Sequence, residues 1–141
     1  MKNLLLLPVL VLAVHFHSFA QCSEEVILSA SKTEYLNGSD VLQRTVDESS
    51  TIEISKTKVV IKPGNVDQVM IGTITSDTCN WKTPYTEGLT VIHASFDDPS
   101  AEPRHATLKV EGIAGKITFL MEIQEMPDRK IRVSIDKFAK K

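Results

Sequence analysis

The 141-residue chain lacks the composition of several large protein classes. Its 16 basic and 18 acidic residues leave a formal net charge of −2, which excludes a strongly basic protein held on nucleic acid by counterion release. Hydrophobic residues make up 42% and charged residues 24%, so the chain is neither disordered nor fibrous. A chain of this length can bury one core without a metal or a dense set of disulfides.

The motifs of common catalytic and nucleotide sites are also missing. The sequence contains no Gly-x-Ser-x-Gly and no Cys-x-x-Cys. Gly112-Ile113-Ala114-Gly115 lacks the lysine and the helix that follow a phosphate-binding loop. These absences favour a protein without catalysis, and they predict no cofactor.

One polar segment could supply metal ligands or a catalytic histidine. Asp97, Asp98, Glu102 and His105 lie close together in sequence, and His93 precedes them by a few residues. Carboxylates and imidazoles can bind divalent cations, but this order matches neither an EF-hand loop nor a His-Glu-x-x-His motif. The sequence therefore predicts no metal site. A hydrolase that uses His93 or His105 is kept as an alternative.

The longest apolar run lies at the start of the chain. Lys2 precedes the run 4–14, which is interrupted only by Pro8, and small residues follow at Ser18 and Ala20. This pattern is typical of a secretory signal peptide cleaved after Ala20. The run is shorter than the ~20 residues that a membrane-spanning helix needs. We expect a signal peptide over residues 1–20, one domain over 21–141, and a secreted or periplasmic protein without a membrane span.

The two cysteines fit the same compartment. Cys22 and Cys79 form an even pair, and export places them in an oxidising environment, so they predict one disulfide. The bond would hold the new N-terminus against the segment before Trp81. Two free thiols, or a lipid on Cys22, are the alternatives. Gln21 fits lipidation poorly, because that processing requires a small residue directly before the cysteine.

Three segments near the C-terminus alternate apolar and polar residues with period two. They are 106–111, 116–123 and 130–136. Successive side chains on a strand point to opposite faces, so each segment is predicted to be a strand with one buried face. Gly112 to Gly115 is predicted to be a hairpin connection between the first two.

Upstream segments show the same signal more weakly. Short strands are predicted at 25–29, 32–36, 51–55, 58–62, 68–75 and 89–96, and 41–46 could be a strand or a helical turn. Residues 76–88 and 97–105 are the longest segments without a strand pattern. The sequence therefore predicts an all-β protein, an antiparallel meander forming a small barrel or sandwich of about 7–9 strands.

The chain resembles the small secreted, lipocalin-like β-meander proteins of Bacteroidetes-type bacteria. The resemblance rests on the signal end Ser18-Phe19-Ala20-Gln21 and on the serial C-terminal strands. The Gly-x-Trp signature of lipocalins near the first strand is absent, since Trp81 lies mid-chain. The resemblance therefore implies a fold class and transfers no binding residue.

Two functions follow from this interpretation. The first is a carrier of a small apolar ligand, with inward side chains lining a barrel that is either filled or holds one small molecule. Those candidate lining residues are Ile92, Phe96, Ile117, Phe119, Met121, Ile131 and Val133. The second is an interaction module that binds a protein or glycan through a sheet face or through a loop carrying Trp81 and Tyr85.

Overall fold

The computed structural model describes residues 20–64 and 67–141, so the signal peptide predicted over residues 1–20 lies outside the described residues except for Ala20. These residues form one short helix and nine strands. In chain order they are α1 (Ala20–Ser23), β1 (Val26–Asn37), β2 (Leu42–Ile54), β3 (Lys58–Lys62), β4 (Met70–Thr83), β5 (Glu87–Phe96), β6 (Arg104–Ile113), β7 (Lys116–Ile123), β8 (Arg129–Ile135) and β9 (Lys137–Lys140).

The strands form a closed, eight-stranded antiparallel barrel with one extra strand. Each of β1 to β7 pairs with the next strand, and β8 returns to pair with β1 at Thr33–Asn37. The extra strand β9 pairs with the other half of β1, at Val26–Ser29. The all-β meander prediction is confirmed, and of the two expected architectures the chain adopts the barrel.

The interior of the barrel is filled with side chains between its two ends. Strands alternate inward and outward side chains, and the inward ones form one continuous hydrophobic cluster. Its largest fully buried members are Phe119, Leu28, Ile52, Ile92, Leu108, Val59 and Val110. The three C-terminal strands predicted from period-two alternation are confirmed as β6, β7 and β8.

The predicted hairpin between β6 and β7 is also confirmed, although its two glycines have different roles. The turn consists of Ala114 and Gly115, with φ of 51° and 84°. Positive φ at both central residues matches the twist of the flanking strands. Gly112 belongs to β6 instead, where a Cβ would lie 2.7 Å from the Trp81 ring.

Two predictions about strand boundaries are wrong. Residues 76–88 were expected to be irregular, but β4 continues to Thr83 and only a short turn separates it from β5. A register shift between Ile74 and Ser76 interrupts the alternation of inward and outward side chains. The sequence of this strand therefore lacks a continuous period-two pattern. The segments expected around residues 25–36 and 41–55 likewise join into the long strands β1 and β2, each interrupted by a shift rather than by a turn.

Candidate functional site

The barrel has two ends that differ in their coverings. The disulfide end carries α1 and the β2–β3, β4–β5 and β6–β7 turns. The far end carries the β1–β2, β3–β4, β5–β6 and β7–β8 connections. A cavity opens at each end, and the filled interior separates the two.

The far-end cavity has a volume of about 100 Å³ and a mainly apolar wall. Its apolar lining consists of Ile52, Ile61, Pro63, Met70, Phe119, Met121, Ile131 and Val133. Its polar lining consists of Thr33, Tyr35, Glu48 and Ser50. An apolar chamber with a few convergent polar groups is the usual form of a small-molecule site.

Strand β2 brings two polar side chains into this cavity. The register runs from the pair Ala30–Ser50 to the pair Lys32–Asp47, so β2 carries one residue more than β1 between them. Strand β2 keeps its alternation through this bulge, and Glu48 and Ser50 therefore share the inward face with Ile52. Gly64 lies against the bulge so closely that a Cβ there would sit 1.8 Å from the Ser49 carbonyl oxygen.

Neither of these two side chains has a partner in residues 20–64 and 67–141. Ser50 is 8% exposed, and its Oγ is buried without a hydrogen bond. Glu48 is also 8% exposed, and its carboxylate forms no hydrogen bond or ion pair there. Burying a polar group without a partner costs about 1–3 kcal/mol, and more for a charged group. The Ser50 hydroxyl, the one such buried side-chain atom in the described residues, is therefore costly to stability where it stands.

A cation and an aromatic ring meet at the mouth of the far-end cavity. The Arg44 guanidinium lies over the Tyr35 ring, 4.3 Å from its centroid. The two residues form a cross-strand pair between β1 and β2. Arg44 is thus engaged by the ring face and makes no ion pair with Glu48.

The cavity at the disulfide end is larger, about 330 Å³. Hydrogen bonds hold the residues that cover it in place. The Tyr85 backbone N–H donates to Gln21 Oε1 at 2.5 Å, and the Tyr85 hydroxyl donates to Glu24 Oε2 at 3.2 Å. Lys140 Nζ donates to Glu24 Oε1 at 3.1 Å. Burial, with help from the Glu24 carboxylate, raises the pKa of Tyr85. Gln21, Glu24 and Tyr85 are therefore hydrogen-bonded within the chain.

The predicted disulfide is confirmed. Cys22 and Cys79 are bonded, with their Cα atoms 5.8 Å apart. The bond joins α1 to β4 and so fixes the covering of the disulfide end. Cys22 is therefore occupied by Cys79 rather than by a lipid.

Of the two aromatic residues assigned to an interaction loop, Tyr85 lies in a turn and Trp81 lies on a strand. Trp81 is on strand β4, only 7% exposed, and its Nε1 donates to Thr90 Oγ1 at 2.8 Å. Tyr85 is in the β4–β5 turn and half-buried. Both rings meet Phe138 edge-on, with centroids 5.5 and 5.0 Å apart. They form an aromatic cover over the disulfide end, and Trp81 presents almost no surface to a partner.

All seven candidate lining residues belong to the core cluster or pack against it. Phe119, Met121, Ile131 and Val133 line the far-end cavity. Ile92 lines the disulfide-end cavity, whereas Phe96 and Ile117 line neither.

Sequence reasoning missed Glu48 and Ser50. They fall in phase with Ile52 and Ile54, which was the signal that could have found them. Their polarity concealed it, because a polar residue at an inward position does not register as part of a buried face.

The two histidines considered for catalysis lie on the outside of the barrel. His93 Nδ1 is 3.2 Å from Thr107 Oγ1, and His105 Nδ1 is 2.6 Å from Glu125 Oε1. The hydrogen bonds from His105 hold the pKa of Glu125 below its usual value. Both histidines are exposed and neither lines the far-end cavity. Within the described ranges, no three His, Cys, Asp or Glu side chains are grouped to hold a metal ion.

Comparison with known proteins adds no family to this description. No protein-family model, no curated protein and no solved structure matches the chain. Among the described residues, no helix has the length and apolarity required to cross a membrane.

Proposed function

We propose that the protein is an exported, non-catalytic barrel that carries a small, mainly apolar ligand in the far-end cavity. The observation that carries this proposal is an apolar cavity lined by Ser50, whose hydroxyl is buried without a partner in the described chain. Nearly all buried polar groups in folded proteins are hydrogen-bonded, so an exception beside a cavity calls for an explanation. A bound ligand would supply the missing hydrogen bond.

The dimensions of the cavity limit the ligand. An apolar cavity of about 150 Å³ accommodates benzene, so 100 Å³ suits about four or five non-hydrogen atoms. The filled interior prevents a long chain from passing through the barrel. At the ceiling of about 1.5 kcal/mol per atom, a ligand of five atoms binds in the micromolar range at best.

The disulfide supports the exported part of the proposal. Bonds of this kind persist in oxidising compartments, and the apolar N-terminal run provides a route to them. Intact-mass analysis of the secreted protein should find a chain that begins at Gln21.

The carrier proposal is tested with 1-butanol as a neutral probe, followed by amide chemical shifts in two-dimensional NMR. The wild-type protein should show saturable shifts at Phe119 and Val133, which line the cavity floor. Ser50→Leu fills the cavity and should abolish them. Ser134→Leu, a matched change at an exposed position on β8, should leave them intact. The absence of saturable shifts in the wild type would refute the proposal, as would shifts that persist in Ser50→Leu.

A further inference from the structure

We propose that the ligand of the far-end cavity is a small organic cation, a primary amine on a short apolar group, whose ammonium binds Glu48. This inference rests on the proposed function, since it concerns the same cavity. It identifies the chemical class of the ligand, which the apolar lining alone leaves open.

The Glu48 carboxylate has no partner among the described residues. The side chain is 8% exposed, lines the cavity, and has no cation or hydrogen-bond donor as a partner in the described part of the chain. Its oxygens keep some accessible surface, so a cation that enters the cavity can reach them. The guanidinium of Arg44, four residues away on the same strand, is held over the Tyr35 ring.

The cavity combines hydrogen-bond acceptors with an apolar floor. An ammonium group has three donors and no acceptor. Glu48, with two acceptor oxygens, and Ser50, with an unpartnered hydroxyl, both line this cavity. Hydrogen bonds between an ammonium and a carboxylate are roughly twice as strong as neutral ones. The remainder of the ligand would lie on Ile52, Phe119 and Val133, which are further from the mouth along their strands.

The negative charge of Glu48 disfavours an anionic ligand. A carboxylate ligand of the same size would bring a second negative charge beside Glu48, and like charges in contact oppose binding. The cavity should therefore rank three probes of five non-hydrogen atoms each in the order n-butylamine, 1-butanol, propanoate. This order is the reverse of the one expected from a fatty-acid carrier.

The test measures the dissociation constants of these three probes by NMR titration at neutral pH. For the wild type we expect n-butylamine to bind at least tenfold more tightly than 1-butanol, and propanoate to bind more weakly than either. Glu48→Gln should reduce the preference for the amine over the alcohol to within twofold. Glu111→Gln, which removes an exposed carboxylate from β6, should leave the preference unchanged.

The outcomes separate this inference from the proposed function. Saturable binding of 1-butanol without a preference for the amine overturns the inference and leaves the carrier proposal standing. Failure of all three probes to bind overturns both. If Glu48→Gln does not fold, the ranking of the three probes by the wild-type protein still decides the matter.

Discussion

Removing the hydroxyl of Ser50 should make the protein more stable. Most substitutions in a folded protein destabilise it, by about 1 kcal/mol on average. Ser50→Ala differs because its Oγ is buried without a partner among the residues described, whereas in the unfolded chain it is hydrated. Folding therefore loses a hydrogen bond to water and gains none.

The size of the effect follows from three contributions. Leaving a buried hydroxyl unsatisfied costs about 1–3 kcal/mol, which the alanine variant recovers. The cavity left by the missing oxygen atom lowers the free energy of unfolding by about 0.3 kcal/mol, at about 24 cal/mol per Å³. Alanine is less favourable than serine in a strand by no more than a few tenths of a kcal/mol. The net expectation is a gain of about 1 kcal/mol, or about 4 °C in Tm.

The assay is reversible urea unfolding followed by circular dichroism, with the disulfide intact. Ser134→Ala, at an exposed position on β8, is the matched control and should change the free energy of unfolding by less than about 0.5 kcal/mol. A loss of stability in Ser50→Ala would refute the reasoning. It would mean that Ser50 Oγ makes a hydrogen bond in the free protein, so that no ligand is needed to explain it.

Two further predictions concern the disulfide and the acid limb of stability. Replacing Cys22 and Cys79 together with alanine should lower the free energy of unfolding by about 4 kcal/mol, because the bond closes a loop with a sequence separation of 57; an unchanged urea midpoint would contradict this. Hydrogen bonds from Lys141 and Lys62 hold the pKa of Glu53 below its usual 4.5 in the folded protein. The contribution of Glu53 to stability is therefore complete above pH 4.5 and is lost as the pH falls through the folded pKa. Glu53→Gln should therefore lose less stability than the wild type between pH 5 and pH 3 in acid titrations of unfolding, and parallel curves for the two proteins would rule out this role.

The sequence predicts those parts of the fold where local alternation is uninterrupted. Residues 116–123 place Ile117, Phe119 and Met121 on one face, and that face is buried in the barrel. In β4 the register shift beyond Ile74 changes which residues face inward, so the polar segment that follows shows no strand pattern in the sequence. Closure of the barrel cannot be recognised from local alternation. It depends on pairs such as Glu34 and Arg132, which lie 98 residues apart and have no local signature.

The candidate site was predictable only in its apolar part. Phe119 and Val133 could be identified as inward residues because their neighbours alternate with them. Glu48 and Ser50 could not, since a polar side chain at an inward position goes against the rule by which inward positions are recognised. Conflicts of this kind between local pattern and global fold are expected at functional sites.

A crystal structure of the protein under xenon pressure would show most directly whether the far end of the barrel holds an apolar cavity. Xenon enters apolar cavities irrespective of charge or hydrogen bonding, so it reports whether the far end of the barrel is open. We predict a xenon atom in contact with Ile52, Phe119 and Val133. A far end filled by side chains, with no xenon density and with Ser50 and Glu48 hydrogen-bonded to protein groups, would contradict the proposal of a ligand cavity there.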